Sequence, residues 1–181
     1  MWKAVRGPSL TKELPYLRRM ARLTTGGNAA DADDLVQETL LKAMVNIDSF
    51  RGEAGLRTWL TKIMVNVHRS DKRRAAVRAR YLEAQPKDEP AMPARQVDAL
   101  EVSDTLDALR ELPEDQRMAI AAVAGGEMSY AQAADALGVK LGTFMSRISR
   151  GREALRRRVD GEDGRAAREG KDDTPDKHHA A

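Results

Sequence analysis

The segment from Ser129 to Arg158 constrains the fold of this chain most, because it specifies two helices and the tight turn between them. Ser129 and Gln132 have the spacing of a capping box, which predicts a helix that begins at Ser129. Gly138 stands where a left-handed residue ends such a helix, and a second helix is predicted to begin near Gly142. The predicted apolar face of the first helix consists of Ala133, Ala134 and Leu137. The pattern is typical of a helix-turn-helix.

The second helix of this pair is strongly basic. From Lys140 to Arg158 the chain has seven Lys or Arg residues and one acid, Glu153. A surface hairpin with a solvated basic face would explain the charge, but an excess of one sign on a helix-turn-helix favours DNA binding. Three apolar residues at helical spacing are predicted to face inward, namely Phe144, Ile148 and Leu155. The candidate DNA-binding residues are Lys140, Thr143, Ser146, Arg147, Arg150 and Arg152.

Charge is distributed unevenly along the chain, although the formal net charge is only +3. Arg57 to Arg80 carries eight basic residues against one acid, whereas Tyr81 to Gln116 carries ten acids against three bases. This further basic block predicts a second polyanion-binding surface, separated from the first by an acidic stretch. Charged residues make up 33% of the chain and aromatic residues 4%, a composition that favours small helical bundles with aliphatic cores.

Residue types that the sequence lacks exclude several classes of protein. The chain has no cysteine, which excludes disulfides and thiolate metal sites. No apolar run approaches the roughly 20 residues of a membrane span, and the N-terminus has no secretory signal pattern. The sequence therefore predicts a cytoplasmic protein with no membrane span, no metal site and no cofactor.

Apolar periodicity predicts three helices before the proline-rich stretch. The first covers about Leu10 to Thr24, the second begins at Asp31 as N-cap and runs to about Asn46, and the third covers about Leu56 to Glu83. Predicted core residues of the second helix are Leu40, Ala43, Met44 and Ile47. In the third helix, Trp59, Ile63 and Val67 lie four residues apart, so Trp59 is predicted to be a core residue rather than a stacking platform.

The chain is predicted to fold as two small helical domains joined by a flexible linker, an all-α protein. Residues 84–94 contain three prolines, which cannot donate the backbone hydrogen bond of a helix interior. The predicted first domain is 8–83, the linker 84–96 and the helix-turn-helix domain 97–159. In the second domain, helices are expected from about Val97 to Glu111 and from Leu112 to about Ala124. The acidic segment 160–181 is expected to be disordered.

Four short motifs occur in order along these two predicted domains. They are DDLVQET at 33–39, FRGE at 50–53 with TWL at 58–60 and Asn66 after it, LPEDQR at 112–117, and GTFMSR at 142–147. In this order and at these separations, the motifs resemble those of extracytoplasmic-function sigma factors of bacterial RNA polymerase. The resemblance covers roughly Leu10 to Arg158.

The resemblance implies a role for each part of the chain. The helix of Asp34, Gln37 and Glu38 is implied to bind the polymerase core, and the helix-turn-helix to read the minus-thirty-five promoter element. The basic helix is implied to hold the melted minus-ten element, with Asn66 pairing to a base edge, although a buried structural amide is the alternative. The implied minus-ten residues are Arg57, Lys62, Asn66, Arg69 and Arg73. Implied partners are the RNA polymerase core, promoter DNA and an anti-sigma factor.

Other functions explain less of the sequence. A helix-turn-helix transcription factor that binds duplex DNA without polymerase leaves the basic helix around Asn66 without a role. A sigma-like decoy of an anti-sigma factor is usually joined to a receiver domain, for which this length leaves no room. An enzyme is disfavoured, because its possible metal ligands crowd a helix start where the helix dipole already stabilises acids. Those residues are Asp31, Asp33 and Asp34, together with His68.

Overall fold

The computed structural model describes residues 9–83 and 103–159, and every regular element within these ranges is helical. The all-α fold class is therefore confirmed. Short 3-10 helices at Leu10–Glu13 and Ile47–Ser49 accompany seven α-helices. These are α1 (Leu14–Thr24), α2 (Ala29–Val45), α3 (Leu56–Glu83), α4 (Ser103–Glu111), α5 (Glu114–Val123), α6 (Tyr130–Leu137) and α7 (Leu141–Val159). The predicted linker, the residues 97–102 of a predicted helix, and the predicted disordered tail all lie outside the described residues.

The first helical unit packs α2 against both α1 and α3. Its core is aliphatic, as the composition indicates, and contains the fully buried Leu17, Met20, Leu60 and Met64. Trp59 is half-buried, packs against this core and lies 5.4 Å from Phe50 between ring centroids, which agrees with its predicted core position. Only the first half of α3 contributes to the core, since the side chains from Asp71 to Tyr81 are exposed.

Two predictions for α2 are wrong. Asn28, not Asp31, is the N-cap: its side chain accepts a hydrogen bond from the Asp31 backbone N–H at 3.2 Å and donates one to the Asp31 carboxylate at 2.8 Å. Asn and Asp are both favourable N-cap residues, and here Asn28, three positions before Asp31, occupies the N-cap position. Met44 is 56% exposed rather than part of the core. Because α1 and α3 cover one side of α2, its opposite face remains open.

The second helical unit contains the predicted helix-turn-helix. Both halves of the Ser129–Gln132 capping box are present, at 2.9 and 3.2 Å. Gly138 has φ of 69°, the left-handed conformation that lets the chain leave α6 at no steric cost. Phe144 and Ile148 are buried and anchor α7, as their spacing predicts.

The two units pack directly against each other, an arrangement that the sequence left open. Helix α1 lies against α5, and α3 lies against α6, so that buried residues of both units form one hydrophobic cluster. The Tyr16 hydroxyl of α1 contacts the Met128 sulfur of the second unit at 3.1 Å and Thr61 of α3 at 2.7 Å. Gly26 has φ of 65°, and a Cβ there would lie 2.7 Å from the Arg110 side chain, so this turn also requires glycine for close approach.

Candidate nucleic-acid interface

Helix α7 presents most of its candidate DNA-binding side chains to solvent. Buried Phe144 and Ile148 fix the orientation of the helix, because residues on the opposite face must then point outward. The candidates that this orientation exposes are Lys140, Thr143, Ser146, Arg150 and Arg152. The arrangement suits a helix that enters a DNA groove, with hydroxyl and guanidinium groups available to base edges and phosphates.

Arg147 differs from the other candidates on α7. Its side chain is 24% exposed, and its Nε lies 2.9 Å from the Asp115 carboxylate of α5. The ion pair restrains the guanidinium at the edge of α7. Arg147 can therefore contact DNA in one of two ways. Either it does so while it is still paired with Asp115, or a DNA phosphate replaces the Asp115 carboxylate as its partner.

Sequence reasoning missed two exposed apolar residues at the start of α7. Leu141 is 45% exposed and Met145 is 51% exposed, and they are four residues apart on one helix. Apolar side chains in a major groove can contact the thymine methyl group. The sequence alone did not reveal this exposure, because Leu141 lies three residues before Phe144 and Met145 three residues before Ile148, which is also the spacing of residues that face inward.

The candidate residues in the middle of α3 lie where α6 crosses this helix. Lys62 forms an ion pair with Asp135 of α6 at 2.7 Å, and the Arg69 Nη2 donates to the Leu137 carbonyl at 2.9 Å. Asn66, one turn from each, is exposed. The alternative interpretation of Asn66 as a buried structural amide is therefore wrong.

The two outer candidates of the basic helix have different surroundings. The Arg57 guanidinium donates to the Glu13 carboxylate and lies over the Tyr16 ring, 5.6 Å from its centroid. Its hydrogen bond with Glu13 raises the pKa of Arg57. Arg73 is exposed on the part of α3 that extends beyond the core. Arg57 is thus held by the first unit, whereas Arg73 points into solvent.

The candidate polymerase-binding residues lie on one open face of α2. Asp34 and Gln37 are exposed, and the Glu38 side chain is 42% exposed with Lys42 at 3.3 Å. They border a groove of about 630 Å³ between α2 and α3. The structure brings these three residues together, as their spacing on a helix requires.

The same face of α2 continues as an apolar strip that sequence reasoning missed. Leu41, Met44 and Val45 are 54%, 56% and 83% exposed. Their positions follow Asp34, Gln37 and Glu38 along the helix, so the face is acidic at its N-terminal end and apolar at its C-terminal end. Exposed apolar residues clustered beside charged ones are typical of a protein-binding surface. Periodicity alone assigned Met44 to the core because it cannot tell which face a neighbour covers.

A buried polar cluster lies between the two units, close to these surfaces. Arg117 of α5 is 9% exposed, and its Nε donates to the Thr24 carbonyl at 2.8 Å. Its Nη1 donates to the carbonyls of Leu109 and Arg110, at 3.3 and 3.0 Å. One guanidinium therefore satisfies carbonyls at the C-terminal ends of α1 and α4, where a cation also complements the helix dipoles. Burial lowers the pKa of Arg117, and the charge of Glu114 opposes that effect.

His68 of α3 faces the same cluster. Its Nε2 is 3.2 Å from the Glu114 carboxylate, but the two groups are not aligned for a hydrogen bond. Within the part of the chain that the structure describes, this nitrogen has no hydrogen-bond partner. Burial lowers the pKa of His68, the Glu114 carboxylate raises it, and the charges of Lys72 and Arg117 lower it further, with a net decrease. Within residues 9–83 and 103–159, no group of three or more His, Cys, Asp or Glu side chains is placed to hold a metal ion.

Each helix of the described residues is too short or too polar to cross a bilayer.

Comparison with known proteins assigns both helical units. The family model for sigma-70 region 2 matches residues 10–78, and that for sigma-70 region 4 matches residues 104–155. The ECF RNA polymerase sigma factor EcfG of Rhodopseudomonas palustris is 42% identical over 150 residues, which cover 78% of this chain and 78% of that protein. The ECF RNA polymerase sigma factor SigW of Bacillus subtilis is 32% identical over 146 residues, covering 74% of this chain and 78% of that protein.

A solved structure supports the same assignment. The sigma factor RpoE of Bartonella quintana, in complex with the anti-sigma factor NepR, matches with a TM-score of 0.70 and 33% identity. The match covers 84% of this chain and 95% of that one. The chain therefore belongs to the extracytoplasmic-function RNA polymerase sigma factors of the sigma-70 family.

Proposed function

We propose that this sigma factor reads a promoter through two separate surfaces, α7 and α3, while α2 binds the polymerase core. The observation that carries the proposal is the orientation of α7, whose buried Phe144 and Ile148 turn its hydroxyls and guanidinium groups outward. Catalysis is not part of this function, since the protein recognises DNA and the polymerase supplies the chemistry.

Duplex recognition at the minus-thirty-five element is assigned to the exposed face of α7. Thr143, Ser146 and Arg150 are one or two turns apart, so they face the same stretch of groove. Arginine forms bidentate hydrogen bonds with guanine, and lysine or arginine beside the groove contacts phosphates. We assign Lys140 and Arg152 to phosphate contacts and Arg150 to a base edge. Arg147 is assigned to a phosphate or a base edge, which it can reach once its ion pair with Asp115 is broken.

Recognition of the minus-ten element is assigned to α3. A melted strand needs cations along its backbone and a polar group for an unstacked base. Asn66 supplies an exposed amide, and the cations on both sides follow one helix over about four turns. These are Arg57, Lys62, Arg69 and Arg73.

Binding to the polymerase core is assigned to the open face of α2. Its acidic end, with Asp34 and Glu38, is complementary to a basic partner surface. Its apolar end, with Leu41 and Val45, offers apolar surface that a partner would bury on binding. An anti-sigma factor is a further proposed partner, supported by the complex of the similar Bartonella RpoE with NepR.

The function is tested by run-off transcription with purified core polymerase on genomic fragments. Transcripts should require both the protein and core polymerase, because the sigma factor supplies promoter recognition. If the protein alone protects duplex promoters and never associates with core polymerase, the chain acts as a conventional transcription factor and the proposal is wrong.

The α2 assignment is tested by Val45→Ser, which removes the most exposed apolar residue of the strip. Affinity for core polymerase should fall, and the melting temperature should stay the same because Val45 is 83% exposed. Val77→Ser on α3 is the matched control, since Val77 is also apolar and 64% exposed. Equal affinity losses in both variants would remove α2 from the binding role.

A further inference from the structure

The N-terminal end of α7 carries exposed apolar side chains at the place where a DNA-reading helix meets base edges. Leu141 is the first residue of α7 and is 45% exposed, and Met145, one turn later, is 51% exposed. In a helix-turn-helix, the N-terminal residues of the second helix contact the bases in the major groove. Both side chains therefore lie at the end of α7 that is expected to reach the base edges.

Positive charge within α7 is concentrated toward its other end. The sequence has no Lys or Arg from Leu141 to Ser146, and Arg147 is paired with Asp115. The next cation, Arg150, is exposed and lies about 7.5 Å beyond Met145 along the helix axis. The first turn and a half of α7 therefore offers DNA hydroxyl and apolar groups rather than cations.

The groups beside these two apolar side chains are small. The Ser146 hydroxyl donates to the Gly142 carbonyl at 2.9 Å, so its proton is used within the helix and only its acceptor lone pairs remain for DNA. Gly142 is exposed and has no side chain. Among residues 141–146, the largest exposed side chains are therefore those of Leu141 and Met145.

The major groove offers one apolar group to such side chains, the C5-methyl group of thymine. The other base edges present hydrogen-bond donors and acceptors, which leucine and methionine would leave without partners. Methionine is unbranched and polarizable, so it can adapt its shape to a methyl group. Leu141 and Met145 are four residues apart, which separates their Cβ atoms by about 6 Å and lets them reach neighbouring base pairs, about 3.4 Å apart.

We propose that Leu141 and Met145 determine promoter specificity by contacting thymine methyl groups in the minus-thirty-five element. The inference rests on the proposed function, because it takes α7 as the helix that reads this element. Hydrogen-bonding residues such as Arg150 then read the other positions of the element, and the two apolar residues select A·T pairs by the strand that carries the methyl group.

The first test determines which sequences the holoenzyme, formed with core polymerase, selects from promoters with a randomised minus-thirty-five element. The selected elements should contain at least one A·T pair at a fixed position. Elements made of G·C pairs alone would overturn the inference. If the holoenzyme selects no sequence, α7 does not read this element, and the proposed function and the inference both fail.

The second test replaces each thymine of a selected element, one at a time, with deoxyuridine. This base lacks only the methyl group and keeps the hydrogen-bonding groups of thymine. Affinity of the native holoenzyme, measured by promoter competition, should fall about fourfold at each contacted thymine, the factor expected when one buried methyl-sized group is lost. No loss at any thymine would overturn the inference.

Two variants connect the methyl effect to the two side chains. Met145→Gln keeps the side-chain length and replaces its apolar end with an amide, and Leu141→Ala shortens the other side chain. In each variant the deoxyuridine effect should disappear at one thymine and persist at the other, with an unchanged melting temperature. Arg150→Ala is the control, because it should weaken binding to both templates equally and keep the ratio of their affinities.

A surface of the polymerase is the alternative partner for exposed apolar residues. It predicts that Met145→Gln lowers affinity for core polymerase while the deoxyuridine effect stays as in the native protein. That result would overturn the inference, although Arg150→Ala would still weaken promoter binding and the role of α7 would stand. If Arg150→Ala and both apolar variants leave promoter affinity unchanged, the assignment of α7 itself is wrong.

Discussion

Arg117 shows how one side chain can organise the ends of several helices. Its guanidinium donates to carbonyls of Thr24, Leu109 and Arg110, which the helices α1 and α4 leave without intrahelical partners near their C-termini. Three carbonyls at fixed positions suit the planar fork of arginine, whereas the ammonium of lysine is a point charge. The motif at 112–117 includes this residue, but nothing in its spacing specifies the acceptors.

Replacing Arg117 with Met should destabilise the protein by about 1–3 kcal/mol, because buried carbonyls lose their donor. Arg117→Lys should recover only part of that loss. Urea unfolding measures both variants, with Arg22→Met as control, since Arg22 is also on a helix but exposed. Full recovery by lysine would mean that charge alone, and not the fork geometry, stabilises this site.

Asn66 is the residue on which the proposed melting function depends most directly. Because its side chain is exposed, Asn66→Ala should change the free energy of unfolding by less than about 0.5 kcal/mol. It should nevertheless reduce open-complex formation, measured as permanganate reactivity of thymines in the melted promoter. A lower melting temperature with normal permanganate reactivity at equal folded concentration would make Asn66 structural.

At the scale of elements, residues within the helix-turn-helix determine where its helices begin and end, whereas contacts with neighbouring helices determine which of its side chains are exposed. The Ser129 capping box, the left-handed Gly138 and the buried Phe144 each lie where the chain predicts them. These features fix the angle between α6 and α7, and they leave Arg150 in solvent while Arg147 pairs with Asp115. Arg147 and Arg150 are therefore not equivalent, although both are predicted from the sequence as DNA-binding residues.

Arg150→Ala should weaken minus-thirty-five-dependent transcription by an amount equivalent to about 1–3 kcal/mol if Arg150 reads a base. Stability and core polymerase binding should stay unchanged, because the side chain is exposed on the face away from the core. Promoter competition assays measure the effect, and Arg156→Ala, also exposed on α7, is the control. An effect that is equal on all DNA sequences would assign Arg150 to a phosphate instead.

At the scale of the whole molecule, His68 couples the packing of the two units to pH. Burial holds its pKa below the ordinary value of 6.5, even though Glu114 is close, and Lys72 and Arg117 add to the decrease. The unfolded chain therefore binds this proton at a higher pH than the folded chain. The stabilising contribution is complete above about pH 6.5 and is lost as the pH falls toward the folded-state pKa.

Acidification from about pH 7.5 to about pH 5.5 should thus lower the melting temperature more in the native protein than in His68→Gln. Thermal unfolding at both pH values, with the two proteins in the same buffer, measures the difference. An equal decrease in both proteins would assign the pH dependence to other groups.

Local chemistry determined much of this protein from the sequence by itself. The boundaries of α3, the capping box and the glycine turn follow from residues within about four positions of one another, where periodicity and capping act. The order of the motifs was enough to identify the family. Such signals concern one helix at a time, so they specify which side of it is apolar.

Only the tertiary structure decided which polar faces stay open. Met44 is exposed because α1 and α3 cover the other side of α2, and Lys62 and Arg69 contact α6 rather than solvent alone. Arg117 meets the Thr24 carbonyl across 93 positions of sequence. Contacts at such separation depend on how two helical units pack, and a charge on a helix face has the same pattern in sequence whether water, DNA or another helix lies opposite it.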